Sequence, residues 1–426
     1  MQGVSELIQT FPIPKLVKIR QHFDAESIPV SDIAPIISQQ LAHIQSSHSI
    51  KPGMHIAITC GSRGIRYYSF MVQTIVHYIN QLGAHPFIVA AMGSHGGATE
   101  AGQRQILTDY QITEETMGCP VLCQMDTVVI ASSEQYKLPI HMDRRAAEAD
   151  GILLFNRVKP HTSFTGPYES GLMKMMAIGL GKQRGADSIH GQNPAIMHEL
   201  IADIGKTILK HRPIIGGIAV IENAYDEPWK IVGLRADEIA AKEPLLRDAS
   251  YKKIAQLPFD RCDVLVVDKI GKNISGDGMD PNITGRFCTK YRRGGIQAEK
   301  VVVLDLTEQT HGNAQGIGLA DVTTQRLFHK MRLEMTYPTG VTNTFLHLMK
   351  IPMIMDNDRE AIQLALHSCP EADDRNNLKL IRIPDTAHIE ELEISVGLLP
   401  SARANPNIEI LSDPYDMKFL SNGNLF

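Results

Sequence analysis

The sequence has little of what marks nucleic-acid and membrane proteins. Aromatic residues make up only 6% of the 426 residues, and the 42 basic side chains are outnumbered by 47 acidic ones. It also contains no apolar run of about 20 residues, the length that spans a bilayer. Base stacking needs aromatic surfaces and phosphate binding needs basic ones, so we expect neither a nucleic-acid nor a membrane partner.

Cysteine is also scarce, and its pattern excludes several kinds of site. The six cysteines are scattered without a CxxC pair, so neither a zinc ribbon nor an iron–sulfur cluster is indicated. The N-terminus, MQGVSELIQTFPIPKL, lacks the basic start and apolar stretch of a signal peptide. A chain of this size without a disulfide framework suits a reducing compartment, and we expect a cytoplasmic protein.

One order of elements repeats in the first half of the chain. Apolar runs over 54–60, 86–92 and 151–158 are followed by GSRGI, GSHGG and KPHTSF, with helical patterns over 68–82 and 99–110. Strand, glycine-rich turn and helix in succession are typical of a parallel α/β sheet. Further strand patterns lie at 216–224, 262–270, 300–306, 378–384 and 389–396, and further helical patterns lie at 195–211, 235–247, 320–335 and 358–368.

These patterns predict an α/β fold of two domains with mainly parallel sheets. We place an N-terminal cofactor-binding domain at residues 1–258 and a C-terminal domain at 259–426, with the active site in the cleft between them. The end of the chain, residues 402–426, is rich in Asn, Ser and Pro. We expect it to return onto the N-terminal domain or to form a surface tail.

Chemically useful side chains follow three of the predicted strands. The first is followed by Gly61, Ser62, Arg63 and Gly64, the second by His95 within GSHGG, and the third by His161. Ligands of an open parallel sheet bind beyond the carboxyl ends of its strands, so these side chains are expected at one edge. Two imidazoles there would suit proton transfer at neutral pH.

Each of these signals has a structural alternative. The GSRG turn could hold a phosphate on backbone N–H groups and Arg63, or it could be a helix-capping turn with a surface arginine. His95 lies between glycines, which favours a site over core packing. His161 fits a core histidine bonded to the backbone equally well.

The segment from residue 163 to residue 190 holds two more candidates. Lys174 lies within the apolar stretch LMKMM, where desolvation would free its amine for covalent chemistry unless the side chain extends to solvent. His190 ends the segment, and a neutral imidazole is a good ligand for nickel or zinc. HExxH, GxSxG, Walker and GxGxxG patterns are absent, which argues against an ordinary NAD dehydrogenase.

Taken together, these stretches resemble the lactate racemase family of nickel-pincer nucleotide enzymes. The matching motifs are GSRGI, AAMGSHGGAT, NRVKPHT and SGLMKMMAIGLGK, with His190 beyond them, and KNISGDGMDPNITGR resembles the substrate-side loop of the family. Order and approximate spacing agree over most of residues 50–290.

The resemblance implies a role for each position. Lys174 would carry the cofactor, a nickel pyridinium-thioamide-thiocarboxylate mononucleotide, and His190 would be the protein ligand of nickel. His95 and His161 would be the two acid/base residues. Arg63 would orient the substrate or a cofactor anion. The turn from Gly61 to Gly64, which includes Ser62, would hold the cofactor phosphate. Asn282 and Arg286 would contact the substrate.

The resemblance also implies an isomerase reaction and its partners. The expected activity is racemisation or epimerisation of a 2-hydroxy acid through a 2-keto intermediate. The expected partners are that acid and, transiently, the proteins that build the pincer; a homodimer is a possible assembly. Recombinant protein is expected to lack the cofactor unless those proteins are present.

Three departures from lactate racemases point away from lactate itself. Their first loop has an aspartate three residues before the arginine, where this chain has Cys60. The segment between His161 and Lys174 is longer here, and Asn282 and Arg286 stand where a lactate enzyme has glutamine and lysine. A different or larger 2-hydroxy acid, or a sugar acid, is therefore favoured.

Two other functions remain open from the sequence. A metal-dependent hydrolase or lyase could use His95, His161 and His190 around zinc, which would leave Lys174 without a task. A non-catalytic protein that binds a cofactor or an anion would need Lys174 and Arg63 but not the two loop histidines.

Overall fold

Two large sheets organise the chain in a computed structural model, which describes residues 2–46, 49–370, 372–374 and 377–426, without the side chains of residues 2, 342 and 343. Contacts divide the chain into a unit of residues 24–254 and a unit formed by residues 1–23 with 255–426. The strands are β1 Leu16–Gln21, β2 His55–Cys60, β3 His85–Ala90, β4 Val121–Leu122, β5 Thr127–Ser132, β6 Pro139–Asp143, β7 Gly151–Arg157, β8 Ile214–Glu222, β9 Pro228–Arg235, β10 Arg261–Ile270, β11 Gln297–Leu306, β12 Val322–Thr324, β13 Met353–Met355, β14 Leu380–Ile383, β15 Glu391–Ser395 and β16 Ile408–Ile410.

Helices lie between most of these strands. They are α1 Gln2–Ile8, α2 Val30–Gln45, α3 Tyr68–Gln81, α4 Glu100–Asp109, α5 Glu114–Met117, α6 Arg144–Ala147, α7 Leu172–Lys174, α8 Lys182–His190, α9 Met197–His211, α10 Ala236–Tyr251, α11 Pro281–Thr284, α12 Gln325–Lys330, α13 Leu333–Asn343, α14 Asp358–His367 and α15 Leu399–Ala404. A π-helical turn, Met175–Gly179, continues α7 directly.

The unit of residues 24–254 is built on a sheet with the strand order β4-β3-β2-β7-β8-β9. All neighbours in it are parallel except β8 and β9. Both faces are buried, which is why β2, β7 and β8 are near-continuous apolar runs rather than alternating ones. One apolar cluster includes Ile33 of α2 and Ile75 of α3, and the other includes Ile204 of α9.

The second unit has a sheet with the order β13-β12-β11-β10-β14-β15-β1-β16. Strands from β13 to β14 are parallel, and β14, β15, β1 and β16 pair antiparallel. Leu16, Val17 and Ile19 of β1 are fully buried. The expected α/β class with mainly parallel sheets is therefore confirmed, whereas the active-site cleft stays a prediction.

The two ends of the chain group differently from the expected boundaries. Residues 1–23, expected with the N-terminal domain, group with 255–426 because β1 supplies a strand between β15 and β16. Near the other end, Tyr415, Met417 and Phe419 pack on an apolar cluster of that same unit. Strand pairing across the length of the chain, rather than sequence proximity, decides this grouping.

Candidate active site

Three loops leave neighbouring strands at one edge of the sheet in residues 24–254. In that sheet β2 lies between β3 and β7 and is parallel to both. The loop after β2 contains Gly61–Gly64, the loop after β3 contains His95, and the loop after β7 contains His161. The carboxyl ends of these strands therefore bring the three sequence motifs to the same edge.

The GSRG loop differs in one respect from its expected form. Helix α3 begins only at Tyr68, so the glycines precede the helix rather than form its first turn. The backbone N–H of Gly61 donates to the Tyr68 hydroxyl at 2.7 Å and is not directed at a ligand. The Arg63 side chain is exposed, and its guanidinium is left to supply the positive charge of this loop.

The GSHGG loop holds His95 in a fixed backbone. Nδ1 of His95 lies 2.8 Å from the carbonyl oxygen of Met92. The fully buried Gln103 of α4 donates through Nε2 to the carbonyls of Gly93 (2.9 Å) and His95 (3.2 Å). Gly96 adopts φ +66° against the backbone of α4, a conformation and a spacing that a side chain would not allow.

A buried lysine binds the residues that support the GSHGG loop. Lys182 of α8 is fully buried, and Nζ donates to the Ala90 carbonyl at 2.5 Å and to Oε1 of Gln103 at 3.2 Å. Its third partner is Oδ2 of Asp143, which is 2% exposed, at 3.2 Å. All three N–H groups of this ammonium are therefore used to join the end of β3, α4 and the end of β6.

His161 is oriented by the long loop between β7 and α7. Its backbone N–H donates to Oε2 of Glu169 at 2.7 Å, and the N–H of Ser163 donates to its ring Nδ1 at 3.1 Å. The ring stacks on Phe164 with 4.2 Å between centroids. Glu169, which is 1% exposed, also accepts from the Tyr251 hydroxyl at 2.9 Å, so this carboxylate ties the loop to α10.

Lys174 lies where α7 passes into the π-helical turn. The turn is closed by the N–H of Leu180 donating to the Met175 carbonyl at 2.9 Å. Such turns occur often at functional sites because they displace side chains from regular helix packing. Desolvation, with further contributions from the positive charges of Arg63 and Lys159, lowers the pKa of the Lys174 amine to about 7.

The turn that follows Lys174 packs against two of the three loops. A Cβ atom on Gly61 would lie 3.3 Å from Cε of Met175, and one on Gly93 would lie 3.3 Å from Cγ2 of Ile178. Both loops thus contact the Lys174 segment closely. The positive charge of Arg63 also acts on the Lys174 amine and lowers its pKa.

The start of α7 is held by a buried carboxylate from α10. Oε2 of Glu243, a residue 1% exposed, accepts from the N–H of Met173 at 3.0 Å, and the Leu172 N–H contributes too. Burial raises the pKa of Glu243 to about 7. Its Oε1 faces Gly171, where any side chain would collide.

His190 ends α8 and presents an exposed ring. Desolvation lowers the pKa of its imidazole, and the positive charge of Lys174 lowers it further. An imidazole in its neutral form is a metal ligand. In the described part of the chain, no three or more His, Cys, Asp or Glu side chains are grouped so that they could hold a metal ion.

Asn282 and Arg286, the expected substrate contacts, belong to the other unit and are already engaged within it. Oδ1 of the buried Asn282 accepts from Nη2 of Arg292 at 2.6 Å. Nη2 of Arg286 donates to Oδ2 of Asp321 at 2.8 Å and to the Glu299 carbonyl at 2.9 Å. Their substrate role stays a prediction.

Four supporting residues escaped the sequence analysis: Gln103, Glu169, Lys182 and Glu243. Lys182 carried a usable signal, because it follows the apolar run AIGLG as Lys174 follows SGLM. The other three carried no such signal: Glu243 and Glu169 bind α7 and Tyr251 at 70 and 82 residues' distance, and Gln103 binds carbonyls 10 and 8 residues before it.

A family model described as the lactate racemase N-terminal domain matches residues 9–199. This part of the chain is therefore similar to the N-terminal domain of lactate racemases. Arg63, His95, His161, Lys174 and His190 all lie within the matched residues, and the resemblance to the lactate racemase family is confirmed.

A solved structure resembles the fold beyond this domain. The lactate racemase apoprotein from Thermoanaerobacterium thermosaccharolyticum superposes with a TM-score of 0.51 at 12% identity, covering 88% of this chain and 99% of that one. At this identity the likeness shows the fold alone. The comparison with curated proteins gave no match. Among the described residues, no helix is both long and apolar enough to cross a bilayer.

Proposed function

We propose that the protein is a racemase or epimerase of a 2-hydroxy acid that works with a nickel-pincer nucleotide attached to Lys174. The observation that carries the proposal is the state of the Lys174 amine. It has no hydrogen bond or ion pair among the described residues, and its pKa of about 7 leaves much of it unprotonated at neutral pH. An unpaired neutral amine is a nucleophile suited to covalent attachment.

The surrounding residues fit such a group. Lys174 would hold it covalently, the imidazole of His190 would bind its metal, and Arg63 with the glycine turn from Gly61 to Gly64 would face its anionic end. When bound, the group would accept the C2 hydrogen of the substrate with its electron pair and later return it. His95 and His161 would serve the hydroxyl proton of the substrate.

Cys60 supports a substrate other than lactate. It is fully buried, and burial raises the pKa of its thiol to about 12, so the side chain is neutral. The aspartate of lactate racemases at this position would instead be an acidic group. A neutral group there changes the charge at the start of the GSRG loop, which favours a different or larger 2-hydroxy acid or a sugar acid.

The test is intact-protein mass and nickel content after co-expression with a pincer biosynthetic system. We expect a mass increase and stoichiometric nickel in the wild type, and neither in Lys174→Ala. Lys210→Ala is the matched control, because Lys210 is an exposed lysine that only pairs with Glu134 on the surface. Loaded protein would then be screened for loss of optical activity of 2-hydroxy acids.

Three results would count against the proposal. An unmodified, nickel-free wild type beside a loaded positive control would exclude the pincer. An adduct that persists in Lys174→Ala would move the attachment elsewhere. A loaded enzyme in which His95→Gln with His161→Gln leaves turnover unchanged would favour a non-catalytic cofactor carrier instead.

A further inference from the structure

One face of helix α10 binds the segment that runs from His161 to Lys174. This face presents three polar side chains, spaced four residues apart: Glu243, Arg247 and Tyr251. From their contacts we infer that Arg247 is a positioning residue for the proposed reaction. It acts through Glu169 to hold His161 in place relative to Lys174. The inference rests on the proposed function for its reaction and substrate.

The carboxylate of Glu169 is surrounded by hydrogen-bond donors. It accepts from the backbone N–H of His161 at 2.7 Å and from that of Gly166 at 3.3 Å. The Tyr251 hydroxyl donates to it at 2.9 Å. Nη1 of Arg247 donates to this carboxylate at 3.2 Å and to the carbonyl of Gly166 at 2.5 Å. Arg247 therefore binds both the carboxylate that holds His161 and the backbone of the same loop.

The same helix face also binds the start of α7. Oε2 of Glu243 accepts from the N–H of Met173, the residue before Lys174, at 3.0 Å. The loop itself is closed at its base, where the backbones of Lys159 and Ser170 exchange hydrogen bonds at 3.1 and 3.3 Å. One face of α10 thus contacts both the loop of an acid/base histidine and the helix of the attachment lysine.

Stability alone does not explain the pair of Arg247 and Glu169. Their side chains are 17% and 0% exposed, and the cost of taking two charges out of water can exceed the gain from their attraction. Nε of Arg247 is buried without a hydrogen-bond partner among the described residues, which costs further free energy. What the charged pair adds is direction, because a guanidinium and a carboxylate fix both the distance and the angle between α10 and the loop.

Position matters because the proposed reaction needs two groups of the protein at once. The substrate would pass its hydroxyl proton to a loop histidine while its C2 hydrogen leaves toward the group held on Lys174. A displacement of about 1 Å can cost about 100-fold in rate. Because Arg247 acts on the backbone of the His161 loop rather than on the substrate, we expect its loss to lower kcat and to leave KM nearly unchanged.

The first test is hydrogen exchange in the full-length protein without cofactor. Arg247→Met should accelerate exchange in residues 158–171 by about 10-fold or more, because a hydrogen bond to a charged group is lost. Arg247→Lys should have a smaller effect, since an ammonium keeps the charge but not the planar fork. Lys242→Met is the control, because Lys242 lies at an exposed position of the same helix and pairs with Glu238.

Two exchange results would overturn the inference. Unchanged exchange in residues 158–171 of Arg247→Met would mean that the loop does not depend on Arg247. Equally faster exchange in β8 would mean that Arg247 stabilises the whole unit rather than this loop. Neither result depends on whether the proposed reaction is correct.

The second test measures kcat and KM in loaded enzyme. Arg247→Met keeps Lys174, so it should take up nickel like the wild type. We expect its kcat to fall about 10–100-fold with KM changed by less than about 3-fold, and Arg247→Lys to recover part of the loss. A change in KM alone, or an equal loss in Lys242→Met, would overturn the positioning role. A loaded wild type that racemises no 2-hydroxy acid would instead overturn the proposed function, while the exchange result still decides whether Arg247 holds the loop.

Discussion

Two lysines in the segment from 163 to 190 have similar local sequences and different chemistry. Lys182 is fully buried, and its three N–H groups are bonded to Ala90, Gln103 and Asp143. Lys174 is partly exposed and has no such partner among the described residues. The three partners of Lys182 offset part of the cost of burying its ammonium, whereas Lys174 has no such compensation, which makes Lys174 the reactive lysine.

This difference predicts opposite effects of the same substitution. The pKa of Lys174 falls from 10.5 to about 7 on folding, so the unfolded chain binds more protons between those pH values. The contribution of Lys174 to the free energy of unfolding is therefore lost as the pH falls through that range. Lys174→Met should therefore raise the free energy of unfolding at pH 7, on the order of 1–3 kcal/mol. The gain should vanish as the pH approaches 10.5.

Lys182→Met should destabilise by about 3–5 kcal/mol, because Asp143 would be left as a buried, unpaired carboxylate. Thermal unfolding midpoints of both variants at pH 7 check the pair. If both substitutions shift the midpoint in the same direction, the assignment of a reactive and a structural lysine is wrong.

The buried carboxylate of Glu243 makes the free energy of unfolding depend on pH in a second way. The pKa of Glu243 is raised by burial from 4.5 to about 7, so stability is lost as the pH rises through that range. Glu243→Gln, which can still accept from the Met173 N–H, should be more stable than the wild type above pH 7. The two proteins should be equally stable below about pH 4.5.

Unfolding of wild type and Glu243→Gln would be followed at pH 4.5 and pH 8. Glu114→Gln, a change at an exposed glutamate in α5, is the control, and its stability relative to the wild type should not depend on pH in this way. Parallel pH profiles for wild type and Glu243→Gln would mean that Glu243 is charged throughout or is not buried in solution.

At the scale of elements, the active-site loops owe their shape to side chains from other elements. Helix α4 holds the His95 loop through Gln103, and α10 holds the His161 loop and the start of α7 through Tyr251 and Glu243. The contacts from α10 span 70 and 82 residues of sequence, whereas Gln103 lies 10 and 8 residues beyond the carbonyls that it binds. The loops are thus pre-organised by the fold, as catalysis by positioned groups requires.

Gln103→Leu should loosen the His95 loop without removing α4. It deletes two donors to loop carbonyls and leaves them unsatisfied, at a cost of about 1–3 kcal/mol. Hydrogen exchange of residues 91–98 should accelerate, and kcat of loaded enzyme should fall. Gln105→Leu is the matched control, because Gln105 lies on the exposed side of the same helix and bonds only to Asp109.

Equal protection of residues 91–98 in the Gln103 and Gln105 variants would contradict this account. It would mean that Gly93 and Gly96 alone determine the backbone conformation of the loop. Their positive φ angles of 58° and 66° already restrict it, and the experiment measures what Gln103 adds.

At the scale of the whole molecule, the unit that contains the C-terminal residues begins at the N-terminus. Strand β1 lies between β15 and β16, and Ile19 pairs with both Leu392 and Ile410. Without β1, β16 would lose its strand partner, and β15 would pair with β14 alone. The N-terminal residues are therefore part of the fold of residues 255–426.

Ile19→Ala should weaken this sheet. Ile19 is fully buried, and truncation of a buried isoleucine costs about 2–5 kcal/mol. Hydrogen exchange should accelerate in residues 391–395 and 408–410, and it should be unchanged in β2 and β7. Lys18→Ala, at an exposed position of the same strand, is the control. Faster exchange in β2 and β7 alone would place β1 with the other unit.

The sequence determined the order of elements and the loops that carry chemistry. Apolar runs and glycine turns are local signals, so β2, β3, β7, β10 and β11 were predicted within a few residues, and Lys174 stood out in its apolar stretch. Short or edge strands such as β12 and β16 have no comparable pattern and were missed.

The tertiary structure alone decided which lysine has an unpaired amine and where β1 belongs. Each depends on a partner distant in sequence: Asp143 for Lys182, and β15 for β1. A pKa and a strand neighbour are set by the surroundings of a group in space. Local sequence can therefore name the candidate residues, but only the fold assigns their states.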